Sequence, residues 1–168
     1  EDKQFYNHWG IHLSRVFKAF VKNVLAMSIR EGASTITQQL SRNLYLKPDR
    51  NVFDKIIRKF RELMTSIQIE RNFTKKEILE LYLNVAFFGR QAYGVEAAAQ
   101  TYFGKPASKM TPAEYTMLIG MLKGPSFYDP INHPKRSLDR RDIVIGQVVR
   151  DGLMTPESAE LLRSEIPT

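Results

Sequence analysis

Along most of the chain apolar residues recur at three- and four-residue steps, the spacing of one buried face of an α-helix. Leu13, Val16, Phe17, Phe20, Val21, Val24 and Leu25 form one such stripe, with Arg15, Lys18 and Lys22 between them. Phe53, Ile56, Ile57, Phe60, Leu63, Met64 and Ile67 form a second. Thr74-Lys75-Lys76-Glu77 has the form of a capping box and opens a helix through Ile78, Leu79, Tyr82 and Leu83. An alanine-rich helix is expected from Val95 to Tyr102, ending near Gly104. Thr111-Pro112-Ala113-Glu114 opens the next, with Pro in the first helical position and Glu in the third, and Lys123-Gly124-Pro125 closes it. Ser126 to Pro134 reads as a proline-broken loop. A helix from about Ser137 to Arg150 follows, stopped by Asp151-Gly152. Thr155-Pro156-Glu157 starts a last short one. No alternating run of Val, Ile and Thr is long enough for a strand. The pattern predicts one compact, mainly α domain over residues 1–168.

One stretch breaks the apolar rhythm. From Glu31 to Leu44 the chain reads Glu-Gly-Ala-Ser-Thr-Ile-Thr-Gln-Gln-Leu-Ser-Arg-Asn-Leu. So many hydroxyl and amide groups each need a partner. A polar loop running into a helix would explain them, and so would a surface that grips an oxygen-rich ligand such as a sugar or a diphosphate. Composition narrows the ligand. The 168 residues are 43% hydrophobic and 26% charged, as expected of a globular chain with a real core. Twenty-five Lys and Arg against 18 Asp and Glu leave a net charge of +7, which favours an anionic partner. The absence of cysteine excludes a disulfide framework and thiolate chemistry. No run of 18 apolar residues is present. The chain opens on Glu1-Asp2 without a Met, so a fragment is expected, with any anchor upstream.

Five motifs in order resemble those of the bacterial peptidoglycan glycosyltransferases, the domain found in class A penicillin-binding proteins and monofunctional transglycosylases. Glu1, Asp2, Phe5, His8 and Gly10 match E-D-x-x-F-x-x-H-x-G. Gly32 through Asn43 match G-x-S-T-I-T-Q-Q-L followed by a basic residue and Asn. Arg58-Lys59-Phe60-Arg61-Glu62 is similar to R-K-x-x-E, and Lys75 to Asn84 to K-x-x-I-L-E-x-Y-L-N. Arg140-Arg141-Asp142-Ile143-Val144-Ile145 is similar to R-R-x-x-V-L with Ile in the last place. The likeness runs from residue 1 to about 155.

The resemblance implies a lysozyme-like helical fold and a single inverting transfer. Glu1 would act as general base on the 4-hydroxyl of the GlcNAc of lipid II, with Asp2 orienting it. The growing chain's polyprenyl diphosphate would leave. Arg42, Arg50, Lys59 and Arg61 would meet its charge, since guanidinium and ammonium groups fit phosphate oxygens. Glu62 would hold those bases in place or bind a divalent cation, Mg or Mn, on the diphosphate. Ser34, Thr35, Thr37, Gln38, Gln39 and Asn43 would line the cleft. Arg50 departs from the family pattern: it lies eight positions before Arg58, where about four is usual, and Lys55 is a substitute. The family also implies a membrane anchor upstream, an active site on the extracytoplasmic face of the bacterial membrane, cell-wall synthesis proteins as partners, and inhibition by the phosphoglycolipid moenomycin. No Ser-x-x-Lys with Ser-x-Asn and Lys-Thr-Gly is present, so these residues carry no transpeptidase. The parent is expected to be a class A penicillin-binding protein, its transpeptidase domain lying downstream.

Plainer readings stand beside these. Glu1 and Asp2 could be a helix cap or a frayed end, residues 58–62 a solvated ion-paired face, and His8 a packed histidine. Lys75, Glu80 and Asn84 would bond to the fold as much as to substrate. Arg140 and Arg141 would serve equally as a basic helix surface, and Leu13 to Leu25 as an ordinary core helix in place of one that dips into lipid. As a whole, a basic helical domain on an anionic membrane or nucleic acid is the alternative to an enzyme, although no nucleic-acid-binding motif is visible. A lysozyme-like hydrolase is the other enzyme reading, distinguished by loss of glycan polymer where a synthase would extend it.

Overall fold

The computed structural model describes residue 2 and residues 4–10, 34–45, 52–165 and 167. Among these the fold is mainly α, with seven α-helices, two short 3-10 turns and no strand, only an isolated antiparallel bridge between Phe87 and Tyr93. The helix expected over Leu13 to Leu25 lies outside the described residues. By internal contacts the chain divides into two units, Glu1–Val85 and Ala86–Thr168. No described helix is long and apolar enough to cross a membrane.

The first unit holds a 3-10 turn at Phe5–Asn7 and helices α1 (Ile36–Tyr45), α2 (Val52–Asn72) and α3 (Lys75–Val85). Helix α1 packs on α2 and on α3. Leu40 and Ile78 are fully buried, each stabilising the fold by about 1.5–3 kcal/mol. The 21-residue α2 runs five residues past the expected stripe, because Ile69 continues its inner face. That inner face is not the apolar one. Glu62, Ser66 and Ile69, at helical spacing, are buried, whereas Phe60 is 63% exposed. The capping box that opens α3 forms as expected: the Thr74 amide donates to the Glu77 carboxylate at 2.7 Å, and the Glu77 amide to Thr74 Oγ1 at 3.3 Å.

The second unit holds α4 (Val95–Phe103), a 3-10 turn at Ala107–Lys109, α5 (Pro112–Met121), α6 (Pro134–Arg150) and α7 (Pro156–Ser164). Gly104, left-handed at φ +63°, ends α4 by donating its amide to the Gln100 carbonyl. The box at Thr111 and Glu114 is complete, and Glu114 also takes Lys105 Nζ at 2.7 Å. Helix α6 begins at Pro134, three residues before the expected start, because a proline at the first helical position lacks only an amide the helix would not use. Ala113, Ile145, Ala159 and Leu162 form a core with Val149 and Met154 around it. Arg141, 2% exposed, is not surface: it donates to the carbonyls of Glu165 at 2.6 Å and Arg163 at 2.8 Å, closing the C-terminal end of α7.

Two outcomes follow from this packing. Thr111→Ala removes the cap of α5 and should cost about 1 kcal/mol of stability in urea unfolding. Tyr102 donates its hydroxyl to the Phe88 carbonyl at 2.8 Å. Burial first, and then the Asp129 charge, push its phenol from 10 up to about 12. The neutral form is the one the fold favours, so its contribution is complete below pH 10 and is lost as pH rises through 12. In an alkaline absorbance titration one of the seven tyrosines should ionise near 12, and Tyr102→Phe should abolish that step.

Candidate active site

The first unit gathers the first four motifs. Its centre is the N-terminus of α1. Thr35 caps that helix: its hydroxyl accepts from the Gln38 amide at 3.2 Å, and Gln38 Oε1 accepts from the Thr35 amide at 3.3 Å. This is a Thr-x-x-Gln capping box, and the sequence carried the signal for it. The Thr35 hydroxyl also donates to the Gly10 carbonyl at 2.7 Å, tying the helix to the first motif. Asp2 reaches the same place. Its Oδ2 accepts from the Ile36 amide at 3.3 Å and from His8 Nε2 at 2.8 Å, and its side chain is fully buried. A carboxylate there satisfies an orphan amide and complements the helix dipole.

His8 is held in one tautomer. Its Nδ1 accepts from the Gly10 amide at 3.1 Å, which leaves Nε2 to carry the proton given to Asp2. Gly10 has φ +78°, and a Cβ there would stand 2.9 Å from Glu70 Cγ, so glycine is required on both counts.

Ser34, one residue before the cap, accepts from Lys59 Nζ at 2.7 Å. The same ammonium lies 2.8 Å from Glu62 Oε2, while Arg58 pairs with Oε1. Glu62 is 1% exposed and both of its oxygens are occupied; Lys59 remains half exposed. A cation is thereby fixed at the mouth of α1 with one side open to solvent. Ser34 and Ile36 are two residues apart, so their Cα atoms lie no more than about 7 Å from each other. The first-motif carboxylate and the third-motif ammonium are therefore each bonded at the same helix end, through Ile36 and Ser34.

The remaining residues divide by environment. Thr37 and Gln38 are buried. Thr37 donates to Glu70 at 2.5 Å, and Gln39 accepts from the Tyr82 hydroxyl at 3.2 Å. These polar groups are bonded within the protein. Arg42, Asn43, Arg61 and Lys55 are exposed, where a ligand can reach them. Glu1 and Arg50 lie outside the described residues. Among the described residues no three or more His, Asp or Glu side chains are grouped to hold a metal, and each Glu62 oxygen takes one cationic partner, Arg58 or Lys59. Glu70 belongs to none of the motifs, and nothing in the sequence pattern marks it out.

The family model described as transglycosylase matches residues 1–149. Penicillin-binding protein 1A of Aquifex aeolicus is 44% identical over 160 residues, covering 95% of this chain and 22% of its own length. Its counterpart in Neisseria flavescens is 43% identical, covering 92% of this chain and 19% of its own. The chain thus spans about a fifth of the length of these curated relatives. The crystal structure of penicillin-binding protein 1A from Haemophilus influenzae superimposes with a TM-score of 0.54 at 40% identity, over 56% of this chain and 14% of that one. With residues of the first three motifs placed at the N-terminus of α1 and the family model matched over residues 1–149, the chain belongs to the transglycosylase family.

Proposed function

We propose that this domain polymerises lipid II into glycan strands at the extracytoplasmic face of a bacterial membrane. The observation that supports this best is the attachment of both Asp2 and Lys59 to the N-terminus of α1. Transfer from a polyprenyl diphosphate needs a base at the acceptor hydroxyl and fixed positive charge at the leaving group. Glu1, bonded to Asp2 along the chain, removes the proton from the GlcNAc 4-hydroxyl. The freed oxygen attacks the anomeric carbon of the growing chain, the bond to the diphosphate breaks, and the α-linkage becomes a β-1,4 bond in one displacement. The electron pair departs on the diphosphate, where Lys59, with Arg42 and Arg61, meets it. Charge fixed in advance needs no reorganisation during the reaction, which is why such groups carry much of a catalyst's effect.

Glu62 serves to hold Arg58 and Lys59 in place. A divalent cation, Mg or Mn, would bind on the substrate's diphosphate, with Glu62 within reach as a further oxygen donor. Lipid II, the growing glycan and the membrane surface are the partners of this domain, with other cell-wall synthesis proteins beside it.

Labelled lipid II incubated with the domain in detergent should give glycan polymer, and Glu1→Gln should reduce the rate by about 10²–10⁴-fold while moenomycin still binds. Absence of both polymer and moenomycin binding would overturn the reading, and shortening of added glycan would replace it with a hydrolase.

A further inference from the structure

Glu70 lies on α2 two turns beyond Glu62, and nothing in the transfer chemistry calls for it. Its side chain is only 5% exposed, yet it carries a charge and three bonds. Lys75 Nζ lies 2.8 Å from each of its oxygens. Thr37 Oγ1 donates to Oε1 at 2.5 Å. The Lys75 ammonium then reaches out of the pair to the His8 carbonyl at 2.5 Å and stands 4.5 Å from the centre of the Phe5 ring. Glu70 Cγ fills the space where Gly10 has no side chain.

Every one of these contacts ends on the first motif or on the helix that caps it. Phe5, His8 and Gly10 are gripped on one side through Lys75 and by direct packing. Thr37 holds α1 from the same carboxylate. A buried acid and base satisfied only by each other would be no better than an apolar pair of the same shape. The use of this pair is the fixed direction of the Lys75 ammonium, which an apolar pair could not give to a backbone carbonyl.

We infer that Glu70 is a positioning residue for the transfer: through Lys75 and Thr37 it clasps the Phe5–Gly10 turn to α1 and so sets the place of the Asp2 carboxylate and the base beside it. This rests on the proposed glycosyl transfer, because it is that base whose reach is being set. Substrate binding by Lys59, Arg42 and Arg61 lies elsewhere on α1 and α2 and does not pass through the clasp.

The test compares Glu70→Gln, Lys75→Met and the double variant with the parent chain. Gln keeps the shape of Glu70 and an oxygen for Thr37 but removes the charge that directs Lys75. The expected result is a fall in kcat for lipid II polymerisation of about 10- to 100-fold, the scale of a small displacement of a catalytic group, with KM unchanged. The double variant should be no worse than the worse single one, since both break one clasp. Trp9, the sole tryptophan, sits in the turn itself, so its time-resolved anisotropy should gain a fast component in Glu70→Gln while the far-ultraviolet circular dichroism stays that of the parent. Unchanged kcat, multiplying losses in the double variant, a loss matched by the fraction unfolded, or an unaltered Trp9 decay would each overturn the inference. If the parent makes no polymer, the proposed function fails, and the Trp9 decay alone still decides whether the clasp exists.

Discussion

The part-buried Glu70–Lys75 pair is the interaction on which the arrangement of the first unit depends. A charged carboxylate at 5% exposure is tolerated only when it is paired and hydrogen-bonded, and here its partners come from three places: Thr37 on α1, Lys75 at the start of α3, and through Lys75 the His8 carbonyl. Because the partners belong to different segments, satisfying the carboxylate brings those segments together. The second constraint is similar. Helix α1 begins with amides that need acceptors, and Thr35, Gln38 and Asp2 supply them. Asp2 is in turn shared with His8, whose other ring nitrogen holds the Gly10 amide.

This gives the polar stretch of α1 a different character from the one its composition suggests. Thr35, Thr37 and Gln38 look, as a string, like groups waiting for a sugar. In the structure they are buried and bonded to the protein. What faces solvent is a smaller set: Lys59 between Ser34 and Glu62, and the exposed Arg42, Asn43 and Arg61. The buried set makes the helix end rigid, and the exposed set has charge for an anion. A diphosphate needs both, since a cation helps a developing charge only when it is already in place.

Much of this was legible in the sequence. The helices after residue 52 follow from apolar spacing, and both Thr-x-x-Glu boxes formed where the residue types require. Helix ends were less certain because they depend on local chemistry: α6 starts at Pro134 because proline tolerates that position, and α2 runs on to Asn72 because Ile69 is buried. Three features escaped for one reason. The inner face of α2 carries Glu62 and Ser66 while Phe60 is outside, Arg141 is buried against the end of α7, and Glu70 is the centre of a network. In each case a polar residue is inside because it is paired, Glu62 and Ser66 within α2 itself and Arg141 and Glu70 with segments distant in sequence, and hydrophobic periodicity registers neither kind of pairing.

Whether bonds among buried polar groups hold the first-motif turn to α1 is decided by native-state hydrogen exchange at the Gly10, Ile36 and Gln38 amides. Their acceptors are His8 Nδ1, Asp2 Oδ2 and Thr35 Oγ1. All three should exchange slowly and share one opening free energy, as members of a single cooperative unit do. Exchange at Gly10 as fast as in a free peptide, with Gln38 still protected, would contradict it.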